Sequence, residues 1–221
     1  MKRLLPLLLL AVLSLPASAV ADGCFGPCNG VSLNPPGTSL LAAQPFGEGG
    51  PFVAYDRATG RVRYTLGGGV PSADGRWYFT GLRRKAQTTI RRHDTRTGRV
   101  AATFVIGRGG WVSSVSANAN RLTLTRGTPR GTAIEVVDTV RQAVTHSLTL
   151  RGAWEVETVS IDGRRLFLVE DLRGDAGRYR VRLYDLVRKR LLGRVLKGEG
   201  EPAVMTGLGV RAIAFRTGVG S

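Results

Sequence analysis

One turn recurs along this chain at a fixed interval, and that recurrence limits the folds open to it. Ser72-Ala73-Asp74-Gly75-Arg76 returns as Ser116-Ala117-Asn118-Ala119-Asn120-Arg121 and again as Ser160-Ile161-Asp162-Gly163-Arg164, 44 residues apart each time. An aromatic or β-branched run follows each copy: Trp77-Tyr78-Phe79-Thr80, Leu122-Thr123-Leu124-Thr125 and Leu166-Phe167-Leu168-Val169. A second marker runs out of phase with the first. It is an alternating run ending in Asp: Phe52–Asp56, Ile90–Asp94, Ile134–Asp138 and Val181–Asp185. The first two continue as Thr59-Gly60-Arg61-Val62 and Thr97-Gly98-Arg99-Val100. Aspartate bonds its own downstream backbone and glycine accepts positive φ, so both markers are turn chemistry.

A period of this length belongs to solenoids, propellers and arrays. No stretch of 12 residues shows a capped helical period, whereas short apolar-alternating runs separated by Gly, Asp and Asn recur from Phe52 onward. That pattern is all-β. Together the two observations predict a β-propeller of four-stranded antiparallel blades.

The order Ser-x-Asp-Gly-Arg, strand, strand ending in Asp, Thr-Gly-Arg-Val resembles the YVTN/YncE-type (WD40-like) β-propeller repeat over about residues 52–206. The resemblance implies a propeller architecture and says little about activity. The third and fourth repeats depart from it, with Thr139-Val140-Arg141-Gln142 and Leu186-Val187-Arg188-Lys189 in place of Thr-Gly. The last repeat has Thr206-Gly207-Leu208-Gly209 where the Asp-Gly turn belongs.

Counting strands a to d in each blade, the chain is expected to open on c and d (Phe52–Asp56, Val62–Leu66). Three whole blades follow, and the chain ends on a and b (about 203–206 and 210–215). That is about four blades' worth of strands. The terminal half-blades could complete one another and close the ring without bare edges. An open or truncated ring that associates with itself fits the count equally well.

Residues 1–21 read as a secretory signal peptide. Lys2 and Arg3 form the basic region, Leu4–Leu15 the apolar run, and Ala19-Val20-Ala21 the cleavage site. Export to the periplasm, cell surface or medium follows, with no transmembrane segment left after cleavage. Residues 22–50, rich in Gly, Pro, Asn and Ser, read as an irregular leader, and residues 51–221 as the propeller domain. Cys24 and Cys28 are the only cysteines. In an oxidising compartment they could form a small disulfide loop, or Cys24 could carry a lipid anchor.

The net charge is +16, with 28 of the 32 basic residues arginine. An exported polycation meets acidic polymers, glycans, headgroups and envelope proteins rather than specific nucleic acid. A solvated surface that reflects composition alone is the competing reading. In the blade scheme the b–c and d–a loops share one face. It collects Arg83, Arg84, Lys85, Arg108, Arg126, Arg130, Arg151, Arg173 and Arg178, with Trp111 and Trp154 at matching positions on the innermost strands. Rings stack on sugars and guanidinium forks bind carboxylate or phosphate, so Trp111, Trp154, Arg83, Arg84, Arg108, Arg126 and Arg151 are the candidate ligand residues. Alternatively both Trp side chains plug the channel or pack between blades and the arginines are merely solvated.

No catalytic residue is assigned, because G-x-S-x-G, H-E-x-x-H and P-loop motifs are absent. His93 and His146, far apart, make no metal site, and no cofactor is expected. Glu155 and Glu157 share a strand face by period two. The function expected is therefore a non-catalytic binding or scaffold protein. A propeller lyase or hydrolase acting on a polyanionic substrate is the alternative.

Overall fold

The computed structural model describes residues 31–33, 35–44, 50–172, 178–199, 202–206 and 213–217. Among them are 18 strands and no helix. They form four four-stranded antiparallel sheets and a final hairpin, each sheet built from consecutive strands. The first sheet contains β1 (Val31–Leu33), β2 (Leu40–Gln44), β3 (Phe52–Asp56) and β4 (Val62–Leu66). The second contains β5 (Gly69–Pro71), β6 (Trp77–Arg84), β7 (Gln87–Asp94) and β8 (Val100–Gly107). β9 (Trp111–Val115), β10 (Arg121–Thr128), β11 (Gly131–Asp138) and β12 (Ala143–Leu150) make the third. The fourth holds β13 (Ala153–Val159), β14 (Arg165–Asp171), β15 (Arg178–Asp185) and β16 (Arg190–Glu199). β17 (Pro202–Thr206) pairs with β18 (Ile213–Thr217).

Two expectations are corrected. Residues 31–44 are not an irregular leader, because they supply β1 and β2, the first two strands of the first blade. The first blade is thus complete without the last hairpin, and the two do not need to finish each other. The sequence hid this because the turn after β1 uses Pro35-Pro36-Gly37-Thr38 in place of the Ser-x-Asp turn. Gly37 there adopts φ 68° and the Thr38 hydroxyl donates to the Pro35 carbonyl at 2.8 Å. The spacing is also shorter, since Asp56 and Asp94 are 38 residues apart.

Two recurring turns lace the blades, the first in the second to fourth blades and the second in all four. In the first, the Ser72 hydroxyl donates to Asp74 at 2.5 Å and accepts the Trp77 N–H at 3.0 Å. Ser116 and Ser160 repeat this with Asn118 and Asp162, at 2.8 and 2.6 Å. In the second, Asp56, Asp94, Asp138 and Asp185 accept N–H groups from two or three residues downstream at 2.8–3.0 Å. The residue after that Asp ties the two turns together. The Thr95 hydroxyl donates to the Gly75 carbonyl at 2.5 Å, and Thr139 does the same to Ala119 at 2.7 Å. The aspartate turn therefore survives the loss of Thr-Gly in the third and fourth repeats.

Successive strand residues point to opposite sheet faces, and here both faces are covered. Tyr78 stacks on Phe52 of the first blade, with centroids 4.3 Å apart and rings 28° from parallel. Its neighbour Phe79 packs the other way, with Val115, Leu122 and Leu124 of the third blade. Ile134 and Val136 meet Trp154, Val156 and Leu168 of the fourth. β5, β9 and β13 are neighbours across successive blades, so the first strand of the second, third and fourth sheets lies innermost.

Candidate functional site

Strand order divides the loops between two ends of the molecule. The b–c turns and d–a links lie at one end, which carries most of the candidate ligand residues. Arg83 and Arg84 end β6, and Lys85 takes the left-handed position of the following turn at φ 51°. Arg108, also left-handed at φ 71°, links β8 to β9. Arg126 lies near the end of β10, Arg130 in the turn after it, and Arg151 in the link from β12 to β13. All are exposed except the half-buried Arg126, and none makes an ion pair among the described residues. Cys24, Cys28 and Arg173 lie outside the described residues.

The links that carry Arg108 and Arg151 are held by a buried clamp that the sequence reading missed. The Thr88 hydroxyl in β7 donates to the Gly110 carbonyl at 2.7 Å and accepts the Gly110 N–H at 2.8 Å. One blade later, the Thr132 hydroxyl donates to the Gly152 carbonyl at 3.1 Å and accepts the Trp154 N–H at 2.9 Å. Thr88-x-Ile90 and Thr132-x-Ile134 are 44 residues apart, so the period already contained the signal.

The clamp corrects the pairing of the two Trp residues. The Gly110 and Trp154 N–H groups make the same bond and are the equivalent positions, so Glu155, not Trp154, is the counterpart of Trp111. A slip of one residue moves a side chain to the other face of its sheet. Trp111 is accordingly 59% exposed on the inner strand, whereas Trp154 is 7% exposed in the core between blades. The Trp154 indole N–H donates to the Arg151 carbonyl at 2.9 Å, so this ring props up the link and does not face solvent.

Between the third and fourth blades this end opens into a cleft of about 1520 Å³. Arg130, Arg151, the edge of Trp154, Glu155 and Glu170 line it. Glu170 forms an ion pair with Arg180 at 2.9 Å. Gly152 sits under it at φ 105°, where a Cβ would meet the Glu170 carboxylate at 2.9 Å. Glu157 falls at the β-bulge between Val156 and Thr158, so simple alternation does not set it beside Glu155. A further carboxylate, Glu135, is buried in β11. Burial pushes its pKa up, and the Arg108 and Arg126 charges pull it down. His93 is likewise buried, with ring nitrogens 3.1 Å from the Thr80 hydroxyl and 3.4 Å from the Gly98 carbonyl. Among the described residues no cluster of His, Cys, Asp and Glu could hold a metal ion.

The chain superposes on hydrazine synthase from Kuenenia stuttgartiensis with a TM-score of 0.51 and 17% identity, over 86% of this chain and 54% of that one. On TolB from Acinetobacter baumannii the TM-score is 0.50, again at 17% identity, over 86% of this chain and 47% of the other. The chain spans about half the length of each of these proteins. At such identity the likeness shows the fold alone, and that fold is an all-β propeller. No protein-family model matches this chain, nor does any curated protein match it in sequence.

Proposed function

We propose that this propeller is exported and acts as a non-catalytic binding or scaffold protein, taking an anionic polymer or glycan on its loop face. Export rests on the basic, apolar and small-residue order of residues 1–21. Among the described residues no helix is long and apolar enough to cross a membrane. The turn chemistry of the repeats supports membership of the YVTN/YncE type.

One observation carries the binding reading. Arg83, Arg84, Arg108, Arg130 and Arg151 stand exposed at one end, unpaired among the described residues, and Arg108 and Arg151 ride on links fixed by buried threonines. A link whose backbone is already fixed adds no loop-ordering cost when its arginine grips a carboxylate or phosphate, which favours affinity. Trp111 adds an accessible ring for a sugar face. The test is calorimetric titration with polygalacturonate. Substituting Arg108, Arg130 and Arg151 together by Gln should weaken binding by about tenfold or more. An unchanged affinity rejects the site.

The enzyme reading has its own observation, since Glu155 and Glu170 line the same cleft as Arg130 and Arg151. Two carboxylates beside anion-binding groups suit acid–base cleavage of a polyanion. The same fold in a protein named a synthase is no guide to activity here. Shortening of the polymer over time, abolished in Glu155→Gln, would favour a lyase or hydrolase. A constant polymer length favours binding. An envelope protein partner or self-association would appear in light scattering as a mass above the monomer.

A further inference from the structure

The opposite end of the propeller, built from the a–b and c–d turns, has a different composition. Nine large hydrophobic residues are exposed among those described, and five lie along the c–d rim of this end: Val62, Val100, Val140, Val144 and Val187. Val140 and Val187 are the two most exposed of the nine, at 67% and 64%. They occupy equivalent turn tips, each two residues past its aspartate, and their N–H groups donate to Asp138 and Asp185 at 2.9 and 3.0 Å. The first two blades place Ala58 and Arg96 there instead.

Exposed cations flank the two tips: Arg141 beside Val140, and Arg188 and Lys189 beside Val187. The carboxylates nearby are already engaged. Asp138 and Asp185 each accept two backbone N–H groups; Asp138 also takes Arg121 at 3.0 Å, and Asp185 lies 4.0 Å from Arg188, whose side chain stays exposed. Arg141 and Lys189 make no ion pair among the described residues.

A soluble polyanion would use these cations and gain nothing from the valines. A bilayer surface uses both, because the headgroup boundary accepts apolar tips and lipid phosphates accept guanidinium and ammonium groups. We infer that the turn end of the third and fourth blades docks on an anionic lipid bilayer, with Val140 and Val187 entering the boundary and Arg141, Arg188 and Lys189 on lipid phosphates. This surface is separated from the loop face by the length of the blades, about 25 Å for eight-residue strands. It therefore stands or falls independently of the ligand proposed there.

Co-sedimentation of the full chain with vesicles tests the inference, comparing phosphatidylcholine alone with phosphatidylcholine containing phosphatidylglycerol. Residues 1–21, basic and apolar, bind such vesicles by themselves, so every variant is also run without them, and ratios within that set isolate the turn end. Binding to the anionic vesicles should fall with added salt. Val140→Ser with Val187→Ser, and separately Arg141→Gln with Arg188→Gln and Lys189→Gln, should each weaken it by about tenfold. Arg91→Gln, an exposed charge in the middle of β7 away from both ends, should leave it unchanged. The substituted positions are exposed, and circular dichroism checks that each variant folds. Binding that ignores the valine change overturns the inference, and if polyphosphate then competes it off, the partner is a polymer. Failure to bind anionic vesicles at all also overturns it.

Discussion

Gln142 occupies the backbone position that Gly98 occupies one blade earlier, each four residues past its turn aspartate, with φ of 56° and 70°. Lys189 repeats it at φ 52°. A side chain in this left-handed region costs about 1 kcal/mol or more relative to glycine. Gln142→Gly and Lys189→Gly should therefore each stabilise the fold by about 0.5–1 kcal/mol, after allowing for the greater freedom glycine gives the unfolded chain. Urea denaturation measures the gain. Gly98→Ala should do the reverse by about 2 kcal/mol, because its Cβ would meet the Tyr64 ring at 2.6 Å in addition to the strained φ.

The threonine clamps should be unusually intolerant of an isosteric change. Thr132→Val keeps the shape but leaves the Gly152 carbonyl and the Trp154 N–H without their shared partner. Losing a buried hydrogen-bonding group costs about 1–3 kcal/mol. Thr132→Ser, which keeps the hydroxyl, should recover most of that stability. Equal stability of the Val and Ser variants would show that the clamp contributes only packing.

The period was legible because turns report directly on residue type. Only certain side chains bond their own backbone, so Ser72, Ser116 and Ser160 marked the inner turns and the four aspartates marked the outer ones. The first blade was hidden because Pro35, Gly37 and the Thr38 hydroxyl make its bend in place of the Ser-x-Asp pattern. At the loop end, Arg83, Arg84, Arg108, Arg130 and Arg151 stand exposed because a charge resists burial, whereas Arg126 is half-buried. The Trp pair was misaligned because ring type carries no register. Register is fixed by what the backbone bonds to, and that information lay in Thr88 and Thr132.

Acidification should loosen the fold in two stages. Burial holds the His93 pKa below its ordinary 6.5, helped by the Arg91 charge and opposed by the Gly98 carbonyl. His146 is lowered too, by burial and by the Arg121 and Lys189 charges. Between 6.5 and those lower folded values the unfolded chain binds more protons, so stability falls as pH falls. The second stage begins below the ordinary carboxylate value of 3.8. Asp56 is held lower by the Thr59 N–H and Asp94 by the Arg96 side chain. Their contribution is present above 3.8 and is lost as pH drops through the folded values. Urea midpoints measured between about pH 7 and pH 5 should decline, and His93→Gln should flatten that decline. A wild-type midpoint that stays constant over this range would refute the first stage.

The two Trp residues should separate stability from binding. Trp154 packs with Ile134, Val136 and Val156, and its N–H supports the Arg151 carbonyl. Trp154→Ala removes that packing and should cost about 3–5 kcal/mol. Trp154→Phe keeps most of the ring and loses only the hydrogen bond, for about 1 kcal/mol. Trp111 is open to solvent, so Trp111→Ala should change stability by no more than about 0.5 kcal/mol. It should nevertheless weaken any glycan held on the loop face, since a stacking surface disappears. Thermal melts and polygalacturonate titrations on the same three variants read the two effects apart. If Trp111→Ala destabilised the fold as much as Trp154→Ala, Trp111 would belong to the core, and the accessible ring would drop out of the proposed site.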